Sequence, residues 1–181
     1  PEVLVVIEKL AMDQAAADRM EVTATQDGDR VQVEVRGSGR SEGGFNINIG
    51  PHGARLRASV PRQARIEAHT RDGRVSVRGV EGDLRVRTGD GSIRLEQVSG
   101  AVDAASGDGS ITIDGRIQAL TTKSGDGRVR VRAEAGSAPA GNWTIATGDG
   151  AVVLELPDGF GADLDATTGD GRVMVRDLPF E

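Results

Sequence analysis

Residues 84–131 read LRVRTGDGSIRLEQVSGAVDAASGDGSITIDGRIQALTTKSGDGRVRV, and in this stretch the tripeptide Gly-Asp-Gly returns every 18 residues. Further along the chain the spacing loosens to 23 and then 21 residues, and a degenerate Arg-Asp-Gly copy comes first. The six copies begin at Arg71, Gly89, Gly107, Gly125, Gly148 and Gly169. A hydroxyl residue precedes each copy: Thr70, Thr88, Ser106, Ser124, Thr147 and Thr168. A period held this closely predicts a repeat architecture.

Apolar residues keep the same register around each copy. They occupy the positions five and three residues before the start of the tripeptide, and four and six residues after it. In the copy at Gly89 these residues are Leu84, Val86, Ile93 and Leu95. Because alternating apolar residues indicate half-buried strands, each repeat is predicted to be two short strands joined at a glycine-rich corner.

Two topologies fit such a repeat, because Asp-Gly between alternating runs is also a hairpin signal. A hairpin at residues 90–91 would place Arg87 opposite Arg94, and directly opposed like charges destabilise a sheet. A parallel stack would instead align the residues seven positions after each motif start: Arg78, Glu96, Asp114, Arg132, Glu155 and Arg176. Opposite charges adjoin through most of this column, which favours a parallel β-solenoid. One coil cannot bury enough apolar surface alone, so the six copies must fold as one stack.

The N-terminal third is less regular. Alternating residues predict strands at 2–9, 20–25, 30–36, 45–49 and 54–60. An Ala-rich segment at 12–20 suggests one or two helical turns. We therefore predict an all-β chain forming a single structural domain. Its parallel β-solenoid, or β-helix, of 18-residue coils covers residues 64–177, and an irregular β region over 1–63, with a possible short helix, caps or continues the stack.

Composition narrows the function classes. The chain has 181 residues, a net charge of −6 and 2% aromatic residues, with no Tyr and no Cys. Nucleic acid is not an expected partner, because phosphate binding needs a net basic face and usually stacking aromatic rings. The lack of Cys excludes disulfides and thiolate metal sites. No Walker, Rossmann, zincin or nucleophile-elbow pattern occurs, so we expect no enzyme and no cofactor.

The aspartates of the tripeptides are the one feature that could carry chemistry. In a parallel stack they would form a ladder with a spacing of roughly 4.8 Å: Asp72, Asp90, Asp108, Asp126, Asp149 and Asp170. One interpretation is a weak cation site, since calcium-binding β-rolls also use Gly and Asp at turns. The favoured interpretation is structural: Asp and Gly supply the unusual backbone angles of a corner, and the carboxylate accepts turn N–H groups.

Other residues of the repeat receive structural interpretations. The glycines of the intact copies are predicted to form structural turns: Gly89, Gly91, Gly107, Gly109, Gly125, Gly127, Gly148, Gly150, Gly169 and Gly171. The hydroxyl residues before them are predicted to form a hydrogen-bonded column at the same corner. His52 and His69 are too isolated to form a metal site or a catalytic dyad, and Trp143 occupies a core position of its repeat.

Charged residues alternate with the apolar ones and are therefore predicted to face outward. The cationic members are Arg74, Arg78, Arg85, Arg87, Arg94, Arg128, Arg130 and Arg132. The anionic members are Asp103, Asp114, Asp163 and Asp165. Such charge-striped faces predict binding to another macromolecule or to a surface. The alternative is a self-assembling structural element whose exposed coil ends stack into oligomers or fibres.

The run RLRASVPRQARIEAHTRDGRVSVRGVEGDLRVRTGDGSIRLEQVSG, residues 55–100, has Val60-Pro61 before the first degenerate repeat. It resembles a bacterial family of adhesin domains of unknown function, whose members carry serial β-strand repeats of this Gly-Asp-Gly kind. The resemblance covers nearly the whole chain. It implies a bacterial β-repeat protein of the cell envelope or extracytoplasmic space, with no catalytic residues. A membrane would be reached only through segments absent from this chain, whose longest apolar run is 3–7.

Overall fold

The computed structural model describes residues 3–10, 18, 21–28, 30–36, 53–140, 142–161 and 164–176. Over these residues the protein is all-β, and stacked parallel strands form a β-solenoid of six coils. This confirms the predicted fold class. No helix among the described residues is long and apolar enough to cross a membrane.

Four strands precede the solenoid. β1 (Leu4–Leu10), β2 (Glu21–Asp27), β3 (Arg30–Arg36) and β4 (Gly53–Ser59) form two antiparallel pairs, β1 with β4 and β2 with β3. Four predicted strands are thereby confirmed, whereas the strand predicted at 45–49 lies outside the described residues. So do the helical turns predicted over 12–20, apart from Asp18. The division of the chain at residues 63 and 64 stays a prediction.

Each coil has a first strand that ends at the hydroxyl residue and a second strand that begins after the tripeptide. The strands are β5 (Ile66–Thr70), β6 (Val75–Arg78), β7 (Leu84–Thr88), β8 (Ile93–Ser106), β9 (Ile111–Ser124), β10 (Val129–Ala133), β11 (Trp143–Thr147), β12 (Val152–Glu155), β13 (Leu164–Thr168) and β14 (Val173–Arg176). The long strands β8 and β9 each join the second strand of one coil to the first strand of the next.

The strands pair in parallel with the predicted register. Every neighbour relation in the column from Arg78 to Arg176 is present, beginning with Arg78 beside Glu96 and Glu96 beside Asp114. Arg94 pairs with Thr112 of the next coil, which excludes the hairpin array. Electrostatic compatibility between neighbouring strands had distinguished the two topologies correctly.

A third side of the first three coils was not predicted. Isolated parallel bridges link Gln63 to Glu81 and Glu81 to Ser99, and β8 continues this pairing beside β9 through Ser99 and Arg116. Gln97 adopts a φ of 54° at a register shift that turns the chain toward this side. The first three coils therefore have three sides rather than two. The sequence interval that forms this side is too short to show alternation.

The core is a column of aliphatic side chains inside the coils. Ile111 and Val152, four residues after their motif starts, are 0% exposed, as are Ile113 and Leu154 two residues further on. In the last coil the equivalent Val173 and Val175 are 38% and 36% exposed, so the burial of these positions depends on a neighbouring coil.

Candidate functional site

The corner that contains each tripeptide is held by a ladder of hydroxyl groups. The Ser106 hydroxyl accepts a hydrogen bond from the Gly109 N–H at 3.0 Å and donates one to the Gly91 carbonyl of the preceding coil at 2.9 Å. The same two bonds recur at Thr88, Ser124 and Thr168. The predicted hydroxyl column is confirmed, and it connects each corner to the corner below it.

The corner glycines are required by close approach rather than by backbone angle. Among the described residues, the glycines with φ in the left-handed region are Gly28, Gly79, Gly82, Gly100, Gly115, Gly136 and Gly159. None of these belongs to a tripeptide, so the expected unusual backbone angles are wrong. Instead, a Cβ added at Gly107 would lie 2.6 Å from the Gly89 carbonyl oxygen, and one at Gly109 would overlap the Gly91 carbonyl.

The aspartate ladder lies on the outside of these corners. Asp90, Asp108 and Asp126 are exposed, and so are Asp72, Asp149 and Asp170. The expectation that their carboxylates accept the turn N–H groups is wrong, because the Ser and Thr hydroxyls accept them. In the ranges that the structure describes, no three His, Cys, Asp or Glu side chains converge as a metal site requires. The weak cation site considered for this ladder stays a prediction.

The predicted outward residues divide between two faces of the solenoid. Arg85 and Arg87 lie on the face of the first strands, where their guanidinium groups are 3.2 Å and 2.9 Å from the Asp103 carboxylate. Asp165 lies in the same column as Asp103, on the last coil. Asp163 is outside the described residues, as is His52.

The face of the second strands is rich in arginine, and we call it the arginine face. Its charged residues stand at odd offsets from the motif start, between the buried positions, and therefore point outward. Its cationic residues are Arg74, Arg78, Arg94, Arg128, Arg130, Arg132, Arg172 and Arg176, and its acidic residues are Glu96, Asp114 and Glu155. Arg172 was not predicted to face outward, and Arg176 was not placed among the outward cations. The offset from the motif start was the signal that would have found both.

Ion pairs within a strand and between neighbouring coils orient part of this face. Arg94 lies 2.7 Å from Glu96, and Arg130 lies 2.9 Å from Glu155. Pairs this exposed contribute roughly 0–1 kcal/mol each to stability. Their main consequence is geometric, because each pair orients a guanidinium group toward a carboxylate of the same face.

A groove on the arginine face lies over the last three coils. It has a volume of about 580 Å³, and its lining includes four arginines, Arg128, Arg130, Arg172 and Arg176. The rest of its lining is Ala151, Val153, Met174, Asp170 and Gly171. The groove thus combines a short aliphatic surface with several guanidinium groups.

One carboxyl on the opposite face has a shifted pKa. The His69 imidazole, 3.1 Å from Glu67, lowers the pKa of the Glu67 carboxyl through a hydrogen bond, opposed by desolvation and reinforced by the charges of His69, Arg85 and Arg30. A lowered folded-state pKa means that this interaction stabilises the fold above the ordinary pKa of Glu. The contribution is lost as the pH falls through the folded-state value.

Comparison with known proteins identifies the family to which the sequence is similar. The family model described as Toastrack DUF4097, a domain of unknown function, matches residues 60–179. No curated protein and no solved structure matches the chain. The matched segment contains all six coils and the whole arginine face.

Proposed function

The chain belongs to the Toastrack DUF4097 family, and on that premise we propose that it is a non-enzymatic scaffold of the bacterial cell envelope that binds another macromolecule through its arginine face. An adhesin-type role is the form of this function that the sequence resemblance suggests. The repeats serve to present charged side chains to a partner, and no residue has a catalytic role.

The charge of the arginine face is the observation that carries this proposal. The face holds eight arginines and three carboxylates, whereas the whole chain has a net charge of −6. A concentrated positive face on a negative protein orients an approaching partner and raises its association rate. Because the strands are hydrogen-bonded in register, the cations form fixed columns that a partner can match.

A quadruple substitution across the face tests this function. Arg74, Arg94, Arg128 and Arg172 are each replaced by Gln, which removes four charges without touching the core. The wild-type protein and the variant are each cross-linked to their partners in source cells, and the partners are identified by mass spectrometry. We expect a partner to be enriched with the wild-type protein and lost with the variant. The control replaces Arg62 and Arg65, which pair with Glu81 and Asp83 elsewhere on the coil, and should keep the partner. Equal recovery of the partner with the quadruple variant would show that the arginine face does not bind it.

Two further measurements address location and chemistry. Cell fractionation with protease treatment of intact cells should find the full-length product membrane-associated and cleaved from outside. A product wholly in the cytosol would remove the envelope and adhesin roles. Detectable turnover on a panel of glycans would contradict the non-enzymatic assignment.

Self-assembly through the coil ends is the alternative function. Exposure of Val173 and Val175 on the last coil favours it, since unpaired strands invite pairing. Head-to-tail stacking in register would, however, place β13 and β14 of one copy beside β5 and β6 of the next. Three columns would then oppose like charges: Arg172 with Arg74, Arg176 with Arg78, and Asp165 with Glu67. These contacts disfavour the assembly.

Reversing the terminal charges should therefore create the assembly that the wild-type protein avoids. We expect the wild-type protein to remain a monomer in size-exclusion chromatography with light scattering. The triple variant Arg172→Glu, Arg176→Glu and Asp165→Lys should show a mass that rises with concentration. An interior control, Arg128→Glu with Thr121→Lys, should stay monomeric because those residues do not reach the ends. A growing wild-type mass, or a monomeric triple variant, would refute the charge argument.

A further inference from the structure

We propose that the groove on the arginine face binds an acidic, extended polypeptide segment of a partner protein, with Arg128 and Arg172 each receiving a carboxylate. The inference rests on the proposed function and names the subsite and the chemistry of the partner. Its position is the last three coils, where β10, β12 and β14 lie side by side.

Guanidinium groups without an acidic partner concentrate at this groove. Arg78, Arg94, Arg130 and Arg132 of the arginine face form ion pairs with carboxylates of the same face. Among the described residues, Arg74, Arg128 and Arg172 have no such pair. Arg74, on the first coil, donates to the Ser92 hydroxyl, whereas Arg128 and Arg172 line the groove. An arginine that is not neutralised by the protein keeps its planar pair of donors available for a bidentate carboxylate.

Arg176 adds a third cation beside them. Its Nε lies 3.3 Å from the Met174 sulfur, a weak acceptor, and within the described ranges it has no carboxylate partner. It stands at the far end of β14 from Arg172, and both residues line the groove.

The spacing of the two principal arginines suits an extended chain. Arg128 and Arg172 stand at the same offset on coils four and six, and Ala151 stands between them on coil five. Two strand separations of roughly 4.8 Å place the two backbone positions about 9.6 Å apart. A polyproline II segment advances about 3.1 Å per residue, so side chains at i and i+3 recur every ~9.3 Å on one face. Acidic residues at that interval would meet both guanidinium groups.

The surface between the arginines also favours a peptide. Ala151 is small, and Val153 and Met174 provide aliphatic contact for the stems of a peptide. None of the groove residues is aromatic, so bases have no ring on which to stack. Asp170, which belongs to the lining and continues the aspartate ladder, would repel a broad anionic surface such as a lipid bilayer. A narrow peptide presents fewer anionic groups to Asp170 than a bilayer does.

Fluorescence anisotropy with a synthetic peptide tests the groove. The probe is a labelled 12-residue peptide of four Glu-Pro-Pro units, which places Glu at every third residue of a polyproline II chain. We expect it to bind the wild-type protein, and Arg128→Gln with Arg172→Gln to weaken binding by about tenfold or more, the loss typical of a charged hydrogen bond. The variant Arg62→Gln with Arg65→Gln, outside the groove, should bind as the wild type does.

Control ligands separate spacing from general charge. A peptide with the same composition but one contiguous block of Glu should bind more weakly than the spaced peptide. Equal binding of both peptides, or binding that survives loss of Arg128 and Arg172, would overturn the inference. Stronger arginine-dependent binding to phosphatidylserine vesicles or duplex DNA would overturn it in favour of those anions.

The outcome is distinguishable from a failure of the proposed function. If the quadruple face variant loses its cellular partner while the spaced peptide fails to bind the wild-type protein, the function stands and the groove assignment falls. If the peptide binds through Arg128 and Arg172 but no cellular partner depends on the face, the groove assignment stands and the function falls.

Discussion

Gly109→Ala is expected to lower the free energy of unfolding by about 3 kcal/mol, at the upper end of typical overpacking costs. An added Cβ would overlap the Gly91 carbonyl of the preceding coil and lie 2.7 Å from the Ser106 hydroxyl. Both neighbours are fixed by the hydroxyl ladder, in which Ser106 bonds to Gly109 and to Gly91. The coils can admit the methyl group only by separating, which breaks those bonds. Urea unfolding followed by circular dichroism measures the change.

Two control substitutions separate this cause from a general sensitivity of glycines and corners. Gly161→Ala should change stability by less than about 0.5 kcal/mol, because nothing lies within 4 Å of the added Cβ. Asp108→Ala, in the same corner as Gly109, should also stay within about 0.5 kcal/mol, since its carboxylate accepts no turn N–H. A large loss from Asp108→Ala would restore the carboxylate to a structural role. A neutral Gly109→Ala would refute the close-approach explanation.

Trp143→Ala should cost about 3–5 kcal/mol, the range for truncating a large buried aromatic side chain. Trp143 is 0% exposed and belongs to the solenoid core. Its ring centroid lies 4.8 Å from that of Phe160, with the two planes tilted by 58°. Removing the indole would leave a cavity in the fifth coil and would remove the ring that packs against Phe160. The same urea unfolding experiment measures the loss.

Trp143→Phe provides the matched control. The Trp143 Nε1 is buried and has no hydrogen-bond partner among the described residues, so replacing the indole by a phenyl ring removes no polar contact with them. We expect this variant to lose clearly less stability than Trp143→Ala, because most of the ring packing remains. Equal losses from both substitutions would show that a feature other than ring packing makes Trp143 important.

Much of the solenoid could be predicted because residues that are adjacent in space occupy the same position in successive repeats. Arg78, Glu96 and Asp114 stand at one offset from successive motifs, so aligning the copies also aligned the strands. The charges then separated the parallel stack from the hairpin array. Trp143 was placed correctly in the core by the same offset.

The corner chemistry could not be predicted from the repeat alone. Gly and Asp at a turn suggest backbone angles and a capping carboxylate, and both expectations failed at Gly109 and Asp108. What decides the corner is the distance between successive coils, which no single repeat contains. Likewise, the Arg128 and Arg172 guanidinium groups became a candidate site only when their lack of an acidic partner could be seen beside the pairing of Arg130.

The sequence by itself determined the all-β class, the coil period and the strand register, because a repeated pattern of apolar and charged residues has few compatible alignments. The tertiary structure alone decided the third side of the coil, the close approach at Gly109 and the groove beside Ala151. These features arise between coils, from the strand separation and from which side chains find partners across it. The periodicity of the sequence specifies which residues stack on one another. Only the packed coils specify how much space remains between them and which charged side chains are left without a partner.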